Sequence, residues 1–320
     1  MVKSYLDLVN ECDRFPYYHD DPSFYNFHME DYHTFQVKGC GSILGYMRND
    51  VVEDFEFDDE IWEVDSRDRV VKLLAGPSPA ERTNAVVQTL KKAVERKVFS
   101  VLDGWRNEMY PVFGPNGEFL LEMERSASPL FGIVSYGVHA TAYVEDENGL
   151  KLWIPRRSRT KQTYPGMLDN SVAGGMSTGE KPYECLVREA MEEASLPEDV
   201  VRANATAAGC VSYTYVRDAR AGGETGLVQP EVEYIYDLRL PADVIPKPND
   251  SEVEEFCLLT LEDTKKALAN AEFKPNCAVV LIDFFIRHGI LTPENEKDFL
   301  EIITKLHRRL EFPTASHATK

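Results

Sequence analysis

GGMSTGEKPYECLVREAMEEASL, residues 174–196, places five glutamates on and beside one short helix. An α-helix turns about 100° per residue, so Glu192 and Glu193 lie roughly −60° and +40° around the axis from Glu189, all within an arc of about 100°. Like charges this close repel and raise one another's pKa, and the helix loses stability unless a cation sits among them. A divalent metal ion is the simplest occupant. The helix is expected to open at Pro182, whose fixed φ suits the first helical position, with Glu184 near the positive end of the dipole. Lys181 makes a poor N-cap, and Arg188 is four residues from both Glu184 and Glu192 and can pair with either.

Outside this stretch, 320 residues with 43% hydrophobic content are enough for a large core and two domains. The net charge of −19 opposes binding to nucleic acid or anionic membranes, so a phosphate-bearing partner has to be a small molecule held by a local metal ion or basic patch. Cys12, Cys40, Cys185, Cys210, Cys257 and Cys277 form no Cys-x-x-Cys pair, which fits reduced thiols. The opening MVKSYLDLVNECDRF reads as neither a secretory signal nor an Arg-rich transit peptide, no apolar run reaches membrane-spanning length, and a cytoplasmic location is expected.

Residues 1–129 read as a smaller α/β domain and 130–320 as a second one, with Arg125-Ser126-Ala127-Ser128-Pro129 as the boundary. The first contains a hairpin over Phe35–Lys38 and Ile43–Met47, and a helix from Pro79 to about Lys97 that buries Val86, Val87, Leu90 and Val94. His19, His28, His33 and Cys40 match no zinc spacing, Trp105 and Arg106 read as scaffold, and Asp58-Asp59-Glu60 reads as a solvated turn. In the second domain, strands are expected at Val134–Val144, Leu150–Pro155, Ala208–Val216, Val232–Leu240 and after Ser251. Arg217–Gly226 reads as a mobile loop, and Gln229-Pro230-Glu231 as a loop-to-strand junction. Helices follow at Leu261–Asn270, Pro275–His288 and Pro293–Leu310, then a frayed tail from Phe312 to Lys320. Arg156, Arg157, Arg159 and Lys161 crowd four cations into six positions, as neutralising a diphosphate would require.

Gly174, five residues, Glu180, seven residues, then Arg188-Glu189-Ala190-Met191-Glu192-Glu193-Ala194-Ser195-Leu196 closely resembles the Nudix box. Ser195 stands where that pattern has glycine, a position suited to a left-handed helix cap. Trp105-Arg106-Asn107-Glu108, Phe131-Gly132-Ile133, Gly137-Val138-His139, Trp153–Ser158 and Tyr164–Asn170 extend the resemblance to the thiamine-pyrophosphokinase-related Nudix hydrolases of fungi and plants.

The resemblance implies an α/β/α sandwich with a mixed sheet, preceded by a smaller α/β domain. It also implies hydrolysis of thiamine diphosphate and its damaged oxo and oxy forms to monophosphates, a metabolite-repair activity. It assigns metal binding to Glu189, Glu192 and Glu193, catalytic roles to Glu189, Glu193, Arg188 and Glu180, and magnesium, or manganese, as the ion. A distal glutamate is expected to join the metal set, with Glu231 favoured over Glu224, Glu233 and Glu252. Arg156, Arg157 and Lys161 are the expected phosphate contacts. Trp153 and Tyr164 are the aromatic faces for a cationic thiazolium. The rival readings are a hydrolase of ADP-ribose or another nucleoside diphosphate derivative, an isopentenyl diphosphate isomerase, for which no catalytic cysteine motif is present, and a diphosphate-binding module without turnover.

Overall fold

The computed structural model describes residues 2–147, 149–249 and 251–316 and divides into two compact units. One comprises Arg14–Ser135, Thr214–Pro230 and the chain from Leu310 on; the other comprises the chain up to Asp13, Tyr136–Tyr213 and Glu231–Arg309.

In the first unit, strands β1 (Tyr32–Val37), β2 (Gly45–Arg48), β3 (Trp62–Asp65) and β4 (Val70–Leu73) form a sheet in the order β2-β1-β4-β3, and β5 (Met109–Phe113) pairs with β6 (Phe119–Glu124). The expected hairpin is β1 with β2, antiparallel, with Thr34 opposite Tyr46. Aromatic side chains fill the core: the Phe35 and Phe131 rings meet edge to face at 5.2 Å, and Trp62, 1% exposed, donates its indole N–H to Thr89 at 2.8 Å. Helix Pro79–Arg96 begins with a Ser78/Glu81 capping box and buries Ala85, Val86, Thr89, Leu90 and Ala93. Val94, expected inside, is exposed and Val87 is half-buried, because the small residues Ala85 and Ala93 set the face that approaches the sheet.

Arg125–Pro129 forms a short turn and the first two residues of helix Ser128–Phe131, all four of which are buried. One further expectation changes here. Arg217–Gly226 is tied down. Glu224 accepts from the amides of Ser100 (2.6 Å) and Val101 (3.0 Å), Arg217 donates to the carbonyls of Ala221 and Gly222, and Arg48 donates to that of Thr225. Phe312, at the start of the expected tail, is buried against Tyr46 at 4.8 Å; residues 317–320 lie outside the described residues.

In the second unit, β7 (Ser135–Asp146), β8 (Gly149–Arg157), β9 (Val172–Gly175), β10 (Ala205–Val216), β11 (Val228–Arg239) and β12 (Val253–Thr260) make a six-stranded sheet ordered β10-β11-β7-β8-β12, with β9 beside β7. Strand β9 has no signal of its own, since two of its four residues are glycine. Val138 lies opposite Gly174, and a Cβ on Gly174 would fall 2.0 Å from Cδ of Glu189 on helix Pro182–Ala194. Tyr143, of opposite parity to Val138 along β7, meets Phe284 of helix Pro275–Arg287 at 5.6 Å. Successive strand residues face opposite ways, so the two helices cover opposite faces of the sheet and an α/β/α sandwich results.

Helix Tyr5–Cys12 also belongs to this unit, with Tyr5 edge to face against Phe285 at 6.4 Å and Asp13 paired with Arg308 at 3.1 Å out of solvent. The helix expected from Pro293 to Leu310 is confined to Phe299–Lys305. Before it, Asn295 accepts from the amide of Thr292 and donates to the Ile290 carbonyl, local bonds that compete with a helix. No helix among the described residues is long and apolar enough to cross a membrane.

Candidate active site

Strand β9 runs into a short loop and then helix Pro182–Ala194, which begins at proline without a side-chain cap from Lys181, as expected. Glycine at 174 lets the helix approach so closely that Glu189 lies against the strand backbone. The helix ends at Ser195 in the left-handed conformation, φ 53°, with the amide of Leu196 bonded to the Ala190 carbonyl at 3.0 Å. Serine thus holds the backbone shape that the family pattern assigns to glycine. An L-residue there costs about 1–2 kcal/mol, partly offset by glycine's larger unfolded-state entropy. Ser195→Gly is therefore expected to stabilise the protein by about 0.5–1 kcal/mol in urea unfolding; an unchanged midpoint would mean that the cap carries no strain.

Arg188 gathers the glutamates. It donates to Glu180 at 2.8 and 3.0 Å, to Glu189 at 2.7 Å, to Glu192 at 3.0 Å and to the Gly175 carbonyl at 3.4 Å. Of its two expected helical partners only Glu192 is used, because Glu184 is taken by Arg202 at 2.6 Å. Burial works against the Glu180 carboxylate, but the bonds from Arg188 hold it below its ordinary pKa. Glu193 has no such relief. It accepts from the Ala173 amide at 3.1 Å, while burial, then the charges of Glu189 and Asp169, push its pKa well up.

The basic loop is not a set of free cations. Arg157 is buried, bonded to Asp169 at 2.5 Å and to the carbonyls of Thr163 (2.9 Å) and Tyr164 (3.2 Å). Its fork is spent on bracing its own loop, a role at odds with the expected phosphate contact. Arg156 donates to the Gly166 carbonyl at 3.0 Å and faces Glu255 at 3.5 Å. Lys161 pairs with Glu252, and it and Arg157 both interact electrostatically with Glu193 of the box helix. Tyr164 is buried, and its ring already faces Lys274 at 5.9 Å. Trp153 is half-buried on β8, its buried indole N–H without a hydrogen-bond partner among the described residues.

Glu231 sits inside β11, not at its junction with the loop, because the strand already begins at the buried Val228. Tyr213 places its hydroxyl on Glu231 and, at 2.9 Å, on Glu233. His139 stands 3.6 Å from Glu233 and bonds Asn170 at 2.7 Å; burial lowers its pKa but the Glu233 charge prevails and raises it. Glu231 therefore joins Tyr213 and Glu233, while Glu189 and Glu192 gather on Arg188. Sequence reading missed Asp169, His139 and the inward position of Glu233. The last was available from strand alternation, which puts residues 231, 233 and 235 on one face.

Among the described residues no three His, Cys, Asp or Glu side chains converge as a metal cluster. The donor set still suits a hard divalent ion. It consists of carboxylate oxygens, and the charge on Glu193 beside Glu189 is one that a cation would compensate.

Residues 4–135 match the profile of a domain of unknown function (DUF4743), and residues 135–277 match that of the NUDIX domain. An uncharacterized protein of Saccharomyces cerevisiae is 39% identical, covering 97% of this chain and 92% of its own length. Nudix hydrolase 20, chloroplastic, of Arabidopsis thaliana is 38% identical over 72% of this chain, which spans only 59% of that relative. A Nudix hydrolase of Deinococcus radiodurans is 32% identical over 41% of this chain and 67% of its own length. With the box, its helix and the sandwich around them in place, the chain belongs to the Nudix hydrolase family and is a pyrophosphohydrolase.

Proposed function

We propose that this chain is a magnesium-dependent diphosphatase that converts thiamine diphosphate and its oxo and oxy forms to monophosphates. The reaction class is carried by one observation: Arg188 holds Glu180, Glu189 and Glu192 while the half-buried Glu193 lies within reach of the Glu189 charge. The substrate rests on the residue runs that resemble the thiamine-related hydrolases, from Trp105–Glu108 to Tyr164–Asn170.

Glu189, Glu192 and Glu193 would hold the ion, with Glu231 as the distal carboxylate. When bound, magnesium would neutralise diphosphate oxygens and lower the pKa of the attacking water. Arg188 keeps the carboxylates oriented between turnovers. Glu193, ionised when the cation is present and made more basic by burial and the charges of Glu189 and Asp169, would be the acceptor for the proton that water gives up as it attacks phosphorus. Lys161 meets the phosphate oxygens. A cationic heterocycle would find the Trp153 face.

The test is turnover of thiamine diphosphate, oxothiamine diphosphate, ADP-ribose and isopentenyl diphosphate with magnesium, following phosphate and product formation. Thiamine compounds should yield monophosphates fastest. Rapid ADP-ribose cleavage with neither thiamine compound touched would overturn the substrate assignment, and binding of a diphosphate without any turnover would overturn catalysis.

A further inference from the structure

Three cations of the basic loop each face a carboxylate from one short acidic segment. Arg156 faces Glu255 at 3.5 Å, Arg159 faces Glu254 at 3.7 Å, and Lys161 is paired with Glu252. Segment and loop are held together by backbone independently of these charges. The Ser158 amide donates to the Glu252 carbonyl at 2.8 Å, the Lys161 amide donates to the Ser158 carbonyl at 3.2 Å, and β12 pairs antiparallel with β8, Val253 opposite Arg157 and, after a register shift, Glu255 opposite Arg156.

The three pairs differ in exposure. Arg159 is 83% exposed, so its pair is screened and weak. The Lys161 side chain is only 15% exposed and that of Glu252 30%, and Lys161, like the Asp169-bound Arg157, acts electrostatically on Glu193 of the box helix. A half-buried ammonium is costly to leave without an anionic partner. We infer that Glu252 is a specificity-determining residue that fills the phosphate position on Lys161, so that a ligand seats there only by bringing enough negative charge to displace the carboxylate.

This inference rests on reading Lys161 as a phosphate contact. On that footing, a diphosphate outcompetes Glu252 because it offers several charged oxygens, whereas a neutral or singly charged ligand does not. Since backbone bonds hold the loop to the Glu252 segment, removing the Glu252 charge takes away the competitor on Lys161 while the loop stays anchored.

The experiment is calorimetric titration of the full chain with methylenediphosphonate, a diphosphate that cannot be hydrolysed, with and without magnesium. Wild type, Glu252→Gln and Lys161→Met are compared. Glu252→Gln is expected to bind about threefold or more tightly than wild type, a change in line with the loss of a partly exposed ion pair. It should also gain measurable affinity for methylphosphonate, which carries a single phosphonate group. Lys161→Met is expected to weaken diphosphonate binding at least tenfold. If Lys161→Met weakens binding while Glu252→Gln leaves it unchanged or weaker, Lys161 is a phosphate contact but Glu252 is no competitor, and the inference falls alone. If Lys161→Met has no effect, or no variant binds diphosphonate at millimolar concentration, the reading of Lys161 fails and the inference with it. Circular dichroism and the unfolding midpoint of each variant separate these outcomes from loss of fold.

Discussion

Glu193→Gln is expected to lower kcat by about 10²–10⁴-fold, the range of a lost general base, while leaving the protein folded. Two functions meet in this carboxylate, a metal-ligand oxygen and a proton acceptor, and glutamine retains the side-chain shape while removing both. The same substitution should raise stability in the absence of metal. The folded-state pKa of Glu193 lies well above its ordinary 4.5, because burial and then the charges of Glu189 and Asp169 oppose ionisation. Below that ordinary value the acid is neutral whether folded or not, and wild type and variant should match. As pH rises from there through the folded pKa, ionisation is forced against burial and wild type loses stability that the variant keeps. Unfolding midpoints measured in chelator at several pH values test this. Parallel curves would show that Glu193 is already compensated, and a near-normal rate would remove it from the catalytic set.

Asp169→Asn should be among the most destabilising single changes, by about 3–5 kcal/mol, because it leaves the buried Arg157 guanidinium without its counter-charge. Asp169 also accepts from the Cys277 thiol at 2.7 Å, so the change unbalances the loop and helix Pro275–Arg287 together. Burial alone would raise the Asp169 pKa, yet Arg157 and Lys274 hold it below the ordinary 3.8. Its contribution is therefore full above that value and is lost as pH falls toward the folded pKa, and the gap between wild type and variant should close in acid. A difference under about 1 kcal/mol at neutral pH would mean that water or the Thr163 and Tyr164 carbonyls satisfy Arg157 instead.

How legible this molecule is depends on whether a residue's role follows from near neighbours in the chain. The box helix, its proline start and its left-handed end at Ser195 are local matters of spacing and φ, and the structure reproduces them. So are the β1–β2 hairpin and the helix from Pro79. The fate of the basic loop is not local. Arg157 finds Asp169 twelve residues on, and Lys161 finds Glu252 ninety-one residues on, so a run that looks like open phosphate-binding charge is already paired. His139 and Glu233 likewise meet only once β7 and β11 lie side by side. Helix Tyr5–Cys12 has a readable capping box, but nothing in its neighbourhood announces that it packs beside residues 275–287.

The loop anchored by Glu224 affects how this polypeptide can be made and divided. The first unit takes in residues 214–230 and the chain from Leu310 on, so more than half of the sequence is translated between its first long segment and its last. A ribosome that has just finished Ser135 has not yet supplied Glu224 for the amides of Ser100 and Val101, nor Phe312 for the Tyr46 ring. Domains that are continuous in sequence can fold one after another as they emerge. Here the earlier-made unit waits for the later one, and a single cut between the two profile-matched regions would leave neither half with all of its own parts.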